Sequence, residues 1–194
     1  MSAPNEALRK LHVLLARAKR CGLHEPTAMT LATADAHGRP SVRTVLLKGV
    51  DAQGLVFYTN TRSRKGRQLA ARPHAALCFW WDALKEQVTV EGRVQPVSDR
   101  EADAYWATRD RASQLGAWAS LQSEPLPSRA ALLARVACCA ATYAGRPVPR
   151  PPHWSGYRVM PERIEYWTAR PFRLNERVCY ERHGLRWTKT LLYP

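Results

Sequence analysis

Between Thr27 and Thr59 the chain alternates apolar and polar residues, and the alternation is interrupted twice by similar turn signatures, "DAHG" and "DAQG". Such a pattern puts successive side chains on opposite faces of a half-buried strand, and Asp/Gly tetrapeptides fold it back on itself. The stretch reads as strand, turn, strand, turn, strand: an antiparallel meander. "AALCFWW" and "QVTVEGRV" look like a further pair, in which Val88, Val90 and Val94 share one face while Gln87, Thr89, Glu91 and Arg93 share the other. Strand patterns return at the end of the chain in "GYRVM", "RIEYW", "FRLNERVCYER" and "LRWTKTLL", with turns expected at "MPE" and "RHG". Many short antiparallel strands with a few helices between them predict a mainly β fold, a small barrel with helical decoration.

Helical periodicity accounts for much of the remainder. Asn5 is placed to cap a helix whose Leu8, Leu11, Leu15 and Ala18 recur at helical spacing, ending near "CGL". Ser98 followed by Glu101 is a capping-box pattern opening "DREADAYWATRDRASQ". Ser128 caps another helix, after the loop "SEPLPS", with Leu132, Val136, Cys139 and Tyr143 on one stripe. A chain of 194 residues with 45% hydrophobic content can bury one good core. We expect a single domain over 1–194, with an N-terminal helix at 1–22 and a helical insertion at 98–145.

Charge narrows the partners. Lys plus Arg outnumber Asp plus Glu by 30 to 16, a formal +14, which attracts phosphates, nucleic acid or anionic surfaces. There is no recognition-helix, zinc-finger or RNA-binding aromatic motif, so a nucleic-acid-binding module is the weaker alternative. No run of about 18 apolar residues and no signal-like segment occurs, which predicts a soluble, cytoplasmic protein with no membrane partner. Five cysteines without a CxxC pair suit reduced thiols, with Cys78 and Cys139 filling core. The six histidines show no ligand spacing, so no metal is expected. The common phosphate-loop, dinucleotide, nucleophile-elbow and HExxH signatures are missing.

Four polar groupings remain. In "FYTNTRSRKGRQL" Ser63 can cap a helix while Arg62, Arg64, Lys65 and Arg67 supply charge, which suits either an anion held at the helix start or a solvated basic helix. Tyr105, Arg109 and Ser113 fall at four-residue intervals and share one face if the helix runs that far, either a phosphate-monoester site or an amphipathic boundary. Arg173, Asn175 and Arg177 alternate along "FRLNERVCYER", so strand geometry would align them on a ligand-facing or merely exposed face. Arg43 and Lys48 are five apart and point to opposite faces of an ideal strand, unless a bulge intervenes or they serve different parts of a site.

Taken in order, "RTVLLK", "FYTNTRSRK", "QVTVEG", "RDRASQLGAWAS" with "LQS", and "IEYW" with "FRLNER" resemble the motifs of the pyridoxine/pyridoxamine 5′-phosphate oxidase family, from about residue 25 to the terminal "LYP". The resemblance implies an antiparallel FMN-binding split β-barrel with peripheral helices, a homodimer with two flavins at the interface. Its flavin residues would be Arg43, Val45, Leu46 and Lys48 in the first motif, and Tyr58, Thr59, Arg64 and Lys65 in the second, where "SRK" holds the FMN phosphate. Gln87, Gln122, Ser123, Trp167 and Arg177 would complete that set. The implied substrate is a small phosphorylated pyridine bound by Lys48, Tyr105, Arg109, Ser113, Arg173 and Asn175, with the Tyr, Arg and Ser on its 5′-phosphate.

The implied reaction passes a hydride from substrate C4′ to flavin N5, and dioxygen reoxidises the flavin to give hydrogen peroxide. An amine substrate then leaves an imine that hydrolyses to pyridoxal 5′-phosphate and ammonia. Arg173 and Asn175 are the implied catalytic residues, Arg173 orienting C4′. Two departures stand out: the family's usual Arg-Leu-His is here Arg173-Leu174-Asn175, and the Arg/Tyr segment that covers the site in longer relatives has no match. A related flavin oxidase acting on another ring, as in phenazine biosynthesis, is the nearest alternative.

Overall fold

Burial along the central strands follows the period-two pattern: in 86–94 every even-numbered residue is buried, and Val88 and Val90 are fully enclosed. The computed structural model describes residues 3–184 and 186–194. Its strands are β1 (Ala28–Ala34), β2 (Pro40–Leu46), β3 (Gly49–Asp51), β4 (Gly54–Asn60), β5 (His74–Trp81), β6 (Glu86–Pro96), β7 (Trp154–Thr168), β8 (Glu176–His183) and β9 (Arg186–Leu192). All belong to one antiparallel sheet, ordered β2-β1-β5-β6-β7-β4-β3, with β8 on β7 and β9 on β8. The length of β7 allows the branch: Trp154–Val159 pairs with β4, while Arg163–Thr168 pairs with β8.

The sheet encloses Leu31, Leu55, Phe57, Leu77, Phe79, Val159 and Ile164, each fully buried. Helix α1 (Ala3–Arg20) lays Ala7, Leu11 and Ala18 onto the same core. Tyr166 and Tyr180 fix its register by donating hydrogen bonds to the Ala7 carbonyl (2.6 Å) and the Glu6 carboxylate (2.8 Å). The helix begins at Ala3, ahead of the expected cap Asn5, whose side chain lies outside the described residues, as do residues 1 and 2. Among the described residues no helix is long and apolar enough to cross a membrane.

Four expectations are corrected. The meander is two hairpins, β1–β2 and β3–β4, placed at opposite ends of the sheet path, because β4 pairs with β7 instead of β2. There is no turn at "MPE": β7 runs straight through Pro161, which is accommodated at a bulge where pairing with β6 skips Glu162. Gly92 faces that bulge, and a Cβ there would lie 2.0 Å from the Met160 carbonyl oxygen. The helix expected over 99–114 is broken in two, α3 (Asp99–Ala107) and α4 (Arg111–Ala119), since Asp110 starts a new cap by accepting from Ser113 N. Finally, 171–175 is not strand: Pro171–Arg173 is a single helical turn with left-handed backbone at Phe172 (φ 58°) and Arg173 (φ 61°).

Two helices match their sequence signals closely. Ser63 caps α2 (Arg64–Ala71) by accepting from Gly66 N, and Ser128 caps α5 (Arg129–Thr142) by accepting from Ala131 N. The Leu132, Val136, Cys139 and Tyr143 stripe is half-buried. Ser98 caps α3, but Glu101 completes only half of the box, because its carboxylate accepts from Arg158 at 2.9 Å.

Candidate active site

The chain leaves β4 at Asn60 and enters α2 through Ser63, so the helix N-terminus opens beside β2 and β4. Lys65 is buried, and its ammonium donates to Thr59 Oγ1 (3.2 Å), Gln122 Oε1 (3.1 Å) and Ser63 Oγ (3.4 Å), all neutral oxygens. Arg43, on β2, is held by Thr33 (2.6 Å) and Ser41 (2.7 Å), and by Gln68, which also accepts from Thr33. Arg64 N donates to Ser123 Oγ at 3.0 Å. Burial, and then each other's positive charge, lowers the proton affinity of these groups: Lys65 is shifted down by burial and Arg43, and Arg43 by burial and Arg64. Mutually repelling cations without an acid to neutralise them form a site for an anion.

A cleft of about 580 Å³ opens in front of this cluster. Arg43, Lys48, Arg64, Lys65 and Arg109 line it, and among the described residues no carboxylate does. Val45, Leu46, Tyr58, Thr59, Tyr105, Gln122 and Ser123 complete most of the wall. Arg43 and Lys48 thus share one cleft: β2 ends at Leu46, so strand alternation does not carry to Lys48. Arg62 and Arg67 are elsewhere, Arg67 donating to the Arg62 carbonyl and pairing with Glu124 at 3.1 Å.

The opposite wall is aromatic. Tyr58 and Tyr105 stack with centroids 4.0 Å apart, and Trp154 lies parallel to both. Gly156 makes room for this stack, since a Cβ there would come within 2.7 Å of the Tyr58 ring. Burial, then Glu101, pushes the Tyr58 phenol up to about 12, so it stays a hydroxyl donor near neutrality. Arg109 follows the end of α3; its Nη2 donates to the Ser113 carbonyl at 3.0 Å, while its Nε is buried without a partner. Ser113 and Arg109 line an adjoining recess that shares Tyr58, Thr59 and Gln122 with the main cleft. The break between α3 and α4 has therefore not separated Arg109 from Tyr105 or from Ser113.

Gln87, Trp167, Arg173, Asn175 and Arg177 do not line this cleft. Gln87, Trp167 and Arg177 form a row across β6, β7 and β8, paired in register. Glu165 orients the row's guanidinium: Arg177 donates Nε and Nη2 to its two oxygens at 2.7 and 3.2 Å, and Arg163 donates at 2.5 Å. Asn175 Oδ1 accepts from Arg170 N at 3.1 Å, tying the turn that carries Arg173.

The bond from Arg177, and then that from Arg163, holds the buried Glu165 carboxyl below the usual carboxylate range. A depressed carboxyl stabilises the fold fully above its unfolded value of about 4.3, and that contribution is lost as pH falls through the folded value. Glu165→Gln is therefore expected to lose stability less steeply than the parent below pH ~4. Urea midpoints between pH ~3 and ~6 check this, and parallel curves for the two proteins would contradict it.

A curled antiparallel sheet flanked by helices, with a cationic cleft against its wall, defines a split barrel. The chain belongs to the pyridoxamine 5′-phosphate oxidase family: residues 15–143 match the family described as Pyridoxamine 5′-phosphate oxidase, and residues 154–194 match the Pyridoxine 5′-phosphate oxidase C-terminal dimerisation region. It is 56% identical over 191 residues to a Myxococcus xanthus (strain DK1622) protein named pyridoxine/pyridoxamine 5′-phosphate oxidase, covering 98% of this chain and 93% of that one. A Rhodospirillum rubrum protein of the same name is 60% identical over 176 residues, 88% of each chain. Among solved structures, PhzG from Burkholderia lata 383, in complex with tetrahydrophenazine-1-carboxylic acid, superposes with a TM-score of 0.92 at 36% identity, covering 96% of this chain and 92% of that one. An FMN-binding protein from Nostoc punctiforme shares the fold, with a TM-score of 0.79 at 21% identity, covering 96% of this chain and 97% of that one.

Ser41, Gln68, Trp154 and Glu165 also belong to the site, each supporting a side chain that the motifs contain. Glu165 sits inside the quoted "IEYW"; Gln68 is a lone amide on a helix and carried no local signal.

Proposed function

We propose that this chain is an FMN-dependent oxidase that converts pyridoxamine 5′-phosphate and pyridoxine 5′-phosphate to pyridoxal 5′-phosphate. The observation that carries the reading is a cleft with two separate cationic groups on different elements: Arg43, Arg64 and Lys65 around the start of α2, and Arg109 after α3. A cofactor and a substrate that each bear a phosphate require two such groups. The unpartnered Nε of Arg109 and the acid-free cluster at Lys65 are donors that fit these phosphates.

FMN, when bound, supplies the acceptor for the hydride from substrate C4′ and returns both electrons to dioxygen as hydrogen peroxide. Arg64, Lys65 and the α2 N-terminus hold the flavin phosphate, with Arg43, Lys48, Thr59, Gln122 and Ser123 around the flavin. Tyr105, Arg109 and Ser113 hold the substrate phosphate, which fixes the pyridine at a set distance from that anchor.

The remaining residues, Gln87, Trp167, Arg173, Asn175 and Arg177, reach the cleft from a second copy in a homodimer. Support comes from the dimerisation region matched at 154–194, which contains all of them except Gln87. Phe172 is 92% exposed and Leu174 66% exposed, flanking Arg173 with apolar surface that a partner would cover. Arg173 orients C4′ from a turn whose left-handed backbone, costing about 1–3 kcal/mol per residue, is held by the Asn175 bond to Arg170 N.

With Oδ1 committed to that bond, Asn175 offers its amide N–H group to the site and cannot titrate near neutrality. Asn175→His is therefore expected to alter kcat/KM by about tenfold or less, ~1.4 kcal/mol, and to add a neutral-range inflection to the pH profile. A parent inactive on both substrates beside an active His variant would make the position essential.

The test of the function is a turnover assay on purified protein with both 5′-phosphates, their unphosphorylated counterparts and a reduced phenazine carboxylic acid. Aldehyde and peroxide from the phosphorylated pyridines are the expected result. Turnover of the phenazine alone would replace this reading with that of a phenazine-type oxidase.

A further inference from the structure

Arg109 is half-buried, and its guanidinium is held without a salt bridge. Among the described residues no carboxylate forms a salt bridge with it, Asp110 next in the chain feeling only its charge; what holds it directly is the Ser113 carbonyl and two aromatic faces. Its guanidinium carbon stands 4.9 Å from the Trp154 ring centroid and 5.6 Å from that of Trp106. Trp154 is 4% exposed, and Trp106 meets it edge-on at 4.9 Å, with its own indole N–H tied to the Val148 carbonyl. The same Trp154 ring lies within 6° of parallel to Tyr105 and to Tyr58, at 6.1 and 5.3 Å. One indole, carried on the first residue of β7, thus touches side chains from α3, from β4 and from the α3–α4 junction.

We propose that Trp154 is the positioning residue for the phosphorylated end of the substrate, holding Arg109 by its face and backing Tyr105 so that both present their donors to one phosphate. The inference rests on the reading that Arg109 and Tyr105 bind that phosphate. Its physical basis is the direction of the two interactions. A carboxylate would hold the guanidinium through its in-plane N–H groups, neutralising it and occupying the donors a phosphate needs. An aromatic face attracts the cation from above the plane and leaves those N–H groups free, and an indole does so more strongly than a benzene ring. Trp154 can therefore immobilise Arg109 without competing with the ligand, in keeping with an Nε that is buried and still unpartnered.

The test uses the FMN-loaded protein with Trp154→Leu and Trp154→Phe, each alone and combined with Arg109→Ala. Two quantities are read: KM and kcat for pyridoxamine 5′-phosphate, and the dissociation constant of pyridoxine 5′-phosphate for the flavin-free chain by equilibrium dialysis. The Leu variant is expected to raise KM and the dissociation constant about tenfold or more with kcat within about threefold, and the Phe variant to raise both about threefold. In the Arg109→Ala background the Leu change at 154 should add less than about threefold, well short of its effect in the parent, because the cation is gone and only the support of Tyr105 remains.

If Arg109→Ala raises KM while neither change at 154 does, or if the two positions act additively, the proposal is overturned and the phosphate reading stands. If Arg109→Ala itself leaves KM and the dissociation constant as in the parent, the phosphate reading fails and the proposal with it. Should the Leu variant not fold, the Phe variant decides: a parental KM there overturns the assignment.

Discussion

Replacing Arg64 and Lys65 together by alanine is expected to weaken FMN binding by roughly 10²–10⁴-fold in a chain that remains folded. Each charge-assisted hydrogen bond to a phosphate contributes about 1.5–3 kcal/mol, so two removed together cost about 3–6 kcal/mol of affinity. Folding is spared for a reason visible in the cluster. Arg64 is exposed, and Lys65, though buried, sits among neutral oxygens beside other cations, so its removal leaves no carboxylate unpaired and relieves repulsion with Arg43. The Ser63 cap on Gly66 N, which starts α2, is untouched. Flavin titration and a urea melt of the same sample check both halves. Parental FMN affinity in a folded double variant would return "SRK" to the status of a solvated basic helix.

Arg109→Ala is expected to raise KM for pyridoxamine 5′-phosphate about 10²-fold, with a much smaller loss of kcat. On the proposed reading the guanidinium holds the phosphate, away from the bond being broken, so its contribution is similar in ground and transition states and falls mainly on KM. A bidentate guanidinium–phosphate contact of about 2.7 kcal/mol corresponds to that factor. Unphosphorylated pyridoxamine supplies the control, since it has nothing for Arg109 to hold and its kinetics should change little. Equal losses with both substrates would mean that Arg109 shapes the cleft without touching the phosphate.

Local signals in the sequence translated well, and non-local ones did not. Ser63 before Arg64 and Lys65 is a helix cap followed by its cations, decided within one turn, and it stands as read. Val88, Val90 and Val94 follow period two because alternate side chains of β6 fall on the face that packs into the core. The meander failed because the partner of β4 lies about a hundred residues further on, at 154–159, and no alternation within 27–59 encodes that pairing.

The helix over 99–114 failed for a local reason that was available: Asp110 three residues before Ser113 N is itself a cap. At 171–175 Pro171 and two left-handed residues override an alternation that looked like strand, so Arg173 and Asn175 are presented by a turn instead of a sheet face. Trp154 and Gln68 were invisible because a supporting residue has no signature of its own. What they support is decided only when β7 reaches Tyr58 and Arg109, and when α2 reaches Arg43.

The central claim, that one cleft brings a flavin phosphate and a substrate phosphate together for oxidation, is tested most directly by turnover before and after FMN is restored to the flavin-free chain. With pyridoxamine 5′-phosphate and dioxygen the account predicts no product without FMN. With about one FMN per chain it predicts pyridoxal 5′-phosphate, hydrogen peroxide and ammonia in equal amounts. A protein that takes up no FMN, or that binds it and yields neither aldehyde nor peroxide from either phosphorylated pyridine, would contradict it.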